Sequence, residues 1–74
     1  MEEKVCKIIA KALDVEVSEV TTNTTSMDIE DWDSLGHLTI LSELESEFGE
    51  EVQNNEQLAS AVSVKEIIEI LKAS

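Results

Sequence analysis

No proline occurs in this chain of 74 residues, and its only glycines are Gly36 and Gly49. A small all-β domain needs many residues that fix or free φ at its turns, so a sequence with two such positions reads as helices joined by polar loops. The length allows one domain, assigned to residues 1–74, because so short a chain has no surface left to bury in a second core. Trp32 and Phe48 are the only aromatics, so that core has to be aliphatic.

From Glu2 to Leu13, the residues Val5, Cys6, Ile8, Ile9, Ala12 and Leu13 recur three and four positions apart, predicting a first helix with one apolar stripe. A second is expected over Ser34 to Phe48. Its Leu35, Leu38, Ile40, Leu41, Leu44 and Phe48 line one broad face, Glu43, Glu45 and Glu47 line the exposed side, and Gly49 follows as a stop. Asn54 and Asn55 can cap a short turn through about Val62, covering Leu58, Ala59 and Val62. Ser63-Val64-Lys65-Glu66 is a capping box, and Val64, Ile67, Ile68 and Leu71 continue as a last helix. Between the first two helices, Asp14 to Asp33 has no period. A compact domain tolerates such a loop only when it is tied down or functional, and Val15, Val17, Val20, Met27, Ile29 and Trp32 are its available anchors. The expected fold is all-α, a small three-to-four-helix bundle of marginal stability with a long loop between helices one and two.

Seventeen acids against five lysines give a net charge of −12, a field that repels phosphate backbones and anionic membrane surfaces and attracts basic proteins. Nucleic-acid binding is excluded on this ground, and no apolar run approaches a membrane span. The lysines are Lys4, Lys7, Lys11, Lys65 and Lys72, so residues 12–64 carry thirteen acids and no Lys or Arg. That acidic middle is the expected partner-facing part. Cys6 is the only cysteine, which rules out a disulfide framework or a cysteine zinc cluster and points, with no basic and apolar leader, to the cytoplasm. Without an export signal, the glycosylation-like Asn23-Thr24-Thr25 carries no meaning.

Loop, acids and hydroxyl meet in one segment, Asp28 to Leu38. Ser34 falls where the long loop enters the second helix, beside backbone N–H groups without helical partners, a favourable place for a covalently attached phosphate. Such a place is more often simply an N-cap, a role serine fills commonly. Ser34, His37 and Asp33 invite a hydrolase triad, yet a chain this small offers little wall for an oxyanion hole or substrate pocket, and His37 reads more simply as a solvated helix residue. A calcium loop starting at Asp31 has Asp33 and Gly36 in place but Ser42 at the twelfth position, where a bidentate Glu is needed. Trp32 reads as a loop anchor against the bundle, or as a contact for cargo.

Asp33-Ser34-Leu35, followed by a helix ending Glu45-Ser46-Glu47-Phe48-Gly49, resembles the acyl carrier protein family, and the resemblance extends over the whole chain. It implies that Ser34 is the attachment point of 4′-phosphopantetheine, delivered from coenzyme A by a phosphopantetheinyl transferase. The arm's thiol would hold acyl groups as thioesters and present them to acyl-loading and acyl-processing enzymes with basic docking patches. The chain itself would be a non-catalytic, monomeric carrier. By position, the resemblance makes Asp33 and Leu35 neighbours of the cofactor and Asp31, Leu38, Glu43, Glu45 and Glu47 partner contacts, with Glu30 upstream.

Three departures shape the expectation. Members of bulk fatty-acid synthesis commonly have an acid where this chain has Gly36 and another where it has Thr39, and Trp32 is closer to stand-alone carriers of specialised pathways. Gly36 costs roughly 0.5–1 kcal/mol of helix stability relative to Ala; close approach of a partner or of the arm would account for it. An aminoacyl or peptidyl carrier is the alternative cargo class, although its motif more often has Gly where Trp32 stands. An acidic helical adaptor without a prosthetic group is the alternative from a different class.

Overall fold

The computed structural model describes residues 2–53 and 55–73. Its elements in order are α1 (Glu2–Leu13), a first 3-10 turn (Val17–Glu19), α2 (Ser34–Phe48), α3 (Glu50–Gln53), a second 3-10 turn (Glu56–Ser60) and α4 (Val64–Ala73). The expected all-α bundle is the fold observed. Short α3 was not foreseen: the chain passes Gly49, which stands at φ 68° as the C-cap of α2, and resumes helical geometry at once.

Each long helix ends for a local reason. At the end of α1, Asp14 takes the left-handed conformation (φ 56°), and the N–H groups of Asp14 and Val15 reach back to the carbonyls of Lys11 and Ala10. This is the Schellman arrangement, which satisfies carbonyls that the helix would otherwise leave open. At the start of α4 the Ser63 hydroxyl accepts from the Glu66 N–H at 3.1 Å. Only that half of the expected capping box forms; Ser63 also stands opposite Thr25 in an isolated antiparallel bridge.

The core is aliphatic. Val5, Ile9, Ile40, Leu44, Leu58, Val64 and Ile67 are its largest fully buried members, and Trp32 is a buried aromatic. Of the broad face expected on α2, Ile40 and Leu44 are buried and Leu41 and Phe48 pack against the core, but Leu35 and Leu38 are 74% and 61% exposed. Apolar residues run around most of this helix, and the rest of the bundle covers only part of its circumference. The second 3-10 turn is also rotated from expectation: Leu58 and Ala61 are buried, whereas Ala59 and Val62 face out. Asn55 caps it by accepting from the Gln57 N–H; Asn54 lies outside the described residues.

The long loop is pinned differently from its apolar pattern. Val20 and Trp32 are buried and Val15 and Ile29 pack against the core, but Val17 is half-exposed and Met27 is 91% exposed, so neither is an anchor. Main-chain pairing does the rest: the Ser26 N–H donates to the Val62 carbonyl at 2.8 Å and the Val64 N–H to the Thr24 carbonyl at 3.0 Å. Buried Thr24 accepts at its hydroxyl from the Thr21 N–H, and the Asp28 carboxylate accepts from both the N–H and the hydroxyl of Thr25. The loop is therefore stitched directly to the segment entering α4.

Charge is arranged across the helix seams. Lys4 pairs with Glu47 at 2.7 Å while lying over the Phe48 ring, Lys11 pairs with Glu43 at 3.5 Å, and Lys72 pairs with Glu2 at 3.6 Å. Among the described residues, no helix is long and apolar enough to cross a membrane.

Candidate functional site at the start of α2

Asp33, not Ser34, caps α2. Its backbone is extended and its carboxylate accepts from the Gly36 N–H at 2.9 Å, the usual way an aspartate satisfies an orphan donor. Ser34 becomes the first helical residue, exposed, and its hydroxyl has no hydrogen-bonding partner among the described residues. The plain N-cap alternative for Ser34 is thereby removed. Among the described residues the N–H groups of Ser34 and Leu35 likewise have no acceptor, which leaves the positive end of the helix dipole open beside the hydroxyl.

Gly36 is the tight point beneath this site. A Cβ there would run into the backbone carbonyl of Asp31 and lie 2.9 Å from a methyl of Leu13. The close approach expected at Gly36 is therefore internal: α2 can start where it does only because residue 36 lets the loop and the end of α1 come up against it.

His37 is not a solvated helix residue. Its Nδ1 lies 3.0 Å from the indole Nε1 of Trp32 and its Nε2 lies 2.8 Å from the Leu58 carbonyl oxygen. An indole N–H can only donate, so Nδ1 must accept, and the proton on Nε2 is donated to Leu58. The two rings are nearly parallel at 12° with centroids 6.2 Å apart, the side-by-side geometry that a hydrogen bond in the ring plane requires. Both imidazole nitrogens are thus committed, and Asp33 is committed to Gly36. No nitrogen remains to activate Ser34, and the triad falls.

Between α2 and the second 3-10 turn runs an open groove of about 500 Å³. Trp32, His37, Leu38 and Leu41 form one side and Ala59, Ala61 and Val62 the other, with Ser26, Asp33 and Ser34 at its rim. Its size and mostly apolar lining are those of a small-molecule site. Sequence reasoning missed both the wall supplied by Ala59, Ala61 and Val62 and the role of His37. The alanines had no periodic signal, and the partners of His37 lie five and twenty-one positions away.

The model of one family, the phosphopantetheine attachment site, matches residues 3–71. The chain belongs to that family. It is a phosphopantetheine-carrying carrier protein, and 4′-phosphopantetheine is its covalently attached group. Domains of this family are in general non-catalytic carriers that meet a phosphopantetheinyl transferase and acyl-processing enzymes. No curated protein and no solved structure matches the chain.

The carrier's residues fit the group. A phosphodiester needs an accessible oxygen and gains from free N–H donors at a helix start; both are present at Ser34 and at no cost to the cap. The other residues singled out in the sequence divide by position around α2. Leu38 and Glu45 lie on the same side as Ser34 at 3.6 residues per turn, and Leu35 is exposed beside them. Glu43 and Glu47 lie about half a turn away, where they pair with Lys11 and Lys4 of α1. Asp31 is exposed in the loop, with its carbonyl against Gly36, and Glu30 is exposed beside it. Among the described residues no three His, Cys, Asp or Glu side chains gather as a metal site.

Proposed function

We propose that Ser34 carries the 4′-phosphopantetheine and that the protein is an acyl carrier serving a lipid or specialised-metabolite pathway. The observation that carries this is the Ser34 hydroxyl: exposed, without a partner, first in α2, and at the rim of an apolar groove. When attached, the arm supplies a thiol that holds acyl groups as thioesters. Ser34 itself is used once, its oxygen forming the bond to phosphorus as 3′,5′-ADP leaves coenzyme A and the hydroxyl proton passes to the transferase.

Asp33 has a positioning part in this reading, because its cap fixes the direction in which α2 presents Ser34. Leu35 and Leu38 offer apolar contact to partners, and Glu45 with the loop acids Asp31 and Asp33 offers charge to basic docking patches. Opposite charge at such a surface raises the association rate more than it tightens a small interface, which suits a carrier that must leave each enzyme.

Incubation of the apo protein with coenzyme A, magnesium and a broad-range phosphopantetheinyl transferase, followed by intact mass measurement, tests the assignment. The wild type should gain the mass of one phosphopantetheine and Ser34→Ala none. Modification of Ser34→Ala would move the attachment elsewhere, and an unmodified wild type would leave the acidic adaptor.

A further inference from the structure

The groove beside Ser34 has two unlike walls. One is α2, a regular helix held in the core by Ile40 and Leu44. The other is the end of the second 3-10 turn, a short element whose cap hydrogen bonds are long: Leu58 N–H to the Asn55 carbonyl and Ala61 N–H to the Leu58 carbonyl, both 3.3 Å. Beyond it, the chain is stitched to the long loop through Val62 and Val64. Leu58 sinks its side chain into the core, but its carbonyl points to the groove side and is taken by His37 at 2.8 Å. Among the described residues this is the one hydrogen bond between α2 and the Glu56–Ser60 turn. Trp32 completes the arrangement by holding the imidazole in the tautomer that can donate to Leu58.

We propose that His37 is a clasp: its bridge from the Trp32 indole to the Leu58 carbonyl sets the width of the groove and thereby limits the size of the acyl group that the groove admits. The second half of this rests on Ser34 bearing the arm; the first half does not. With the clasp closed, the Ala59–Val62 wall stays against α2 and the groove takes a compact group. With it removed, the wall swings on its stitched side and longer chains enter.

Two variants separate the bond from the space. His37→Gln keeps one acceptor and one donor at the end of the side chain, while His37→Leu fills the site without either. In the apo proteins, amide hydrogen exchange is followed at Ala61, whose N–H shares the Leu58 carbonyl with His37, and at Val64, whose N–H pairs with Thr24 on the stitched side. Exchange at Ala61 should quicken roughly two- to tenfold in His37→Leu, the weight of one hydrogen bond, with Val64 unchanged and His37→Gln near wild type. Equal acceleration at both amides, or none at Ala61, overturns the clasp. If His37→Leu does not fold, an Ala61 rate in His37→Gln that follows the wild type supports the clasp, and one that departs from it overturns it.

The cargo half is read on proteins loaded from a series of saturated acyl-coenzyme A donors. Hydroxylamine cleavage of each thioester is compared with that of the free acyl-pantetheine. Protection should extend to longer chains in His37→Leu than in wild type, with His37→Gln following the wild type. An unchanged chain-length profile overturns the size limit while leaving the exchange result standing. Failure of wild-type Ser34 to accept any donor, by contrast, would strike the Ser34 assignment.

Discussion

The backbone carbonyl of Asp31 occupies the space that a Cβ on residue 36 would need. The loop acid and the third residue of α2 are thus in main-chain contact, and the seat of Ser34 depends on the absence of a side chain between them.

Gly36→Ala should therefore behave opposite to its helix propensity. Alanine in a free helix position gains about 1 kcal/mol over glycine, whereas forcing a methyl into a packed contact costs roughly 1–3 kcal/mol. We expect a net loss of stability in urea denaturation together with slower phosphopantetheinylation. A variant as stable as wild type would mean that the loop yields freely.

Charge reversal should discriminate the two sets of α2 acids. Glu45→Lys, on the Ser34 side, should slow transfer by the phosphopantetheinyl transferase roughly tenfold at low salt and less at high salt, as steering does. Glu43→Lys and Glu47→Lys set a lysine against Lys11 and Lys4 instead. Their main effect should be a stability change of at most about 1 kcal/mol, the usual weight of exposed pairs. Initial transfer rates at two ionic strengths and thermal melts check both statements.

How much of this was legible beforehand differs by element. Asp33-Ser34-Leu35 and the boundaries of α1 and α2 stood in the sequence, because capping chemistry and helical period are local. The exposure of Leu35 and Leu38 was not, since a helix with leucines on several sides does not say which side its neighbours will cover. The Trp32–His37–Leu58 bridge was invisible for a stronger reason: it exists only after the loop, α2 and the second 3-10 turn have come together. The pinning of the loop was half legible. Apolar Val20 and Trp32 are anchors as their character suggests, but equally apolar Met27 is not, and the main-chain pairing around Thr25 and Ser63 has no side-chain signature.

Thiol chemistry should distinguish the chain's sulfur from the arm's. Cys6 is buried in the core, and that burial, with the nearby Glu2 carboxylate second, raises its pKa and disfavours the thiolate that reacts. In the native holo protein at neutral pH, an aromatic disulfide reagent should titrate the pantetheine thiol quickly and Cys6 only after denaturation. The same shift makes a stability contribution that is fully present below the ordinary thiol range and is lost as pH rises through the higher native value. Native Cys6 reacting as fast as the arm would contradict its burial.

Salt should stabilise the fold. The net charge of −12 opposes compaction, and ionic strength near 0.15 M shortens the range of that repulsion to about 8 Å. Melting temperature should climb between about 0.01 M and about 0.5 M sodium chloride, despite the weakening of pairs such as Lys4–Glu47. A flat or falling curve would show that the ion pairs outweigh the repulsion.

The pairing of Thr25 with Ser63 closes a long stretch of chain on itself, and it rewards the molecule only once α1, α2 and α4 have found one another. Local helical turns can form first, so this closure is expected on the late side of the folding barrier. Loosening it should quicken unfolding and leave the refolding rate nearly untouched, making the loop that feeds Ser34 the last part of the protein to settle and the first to come undone.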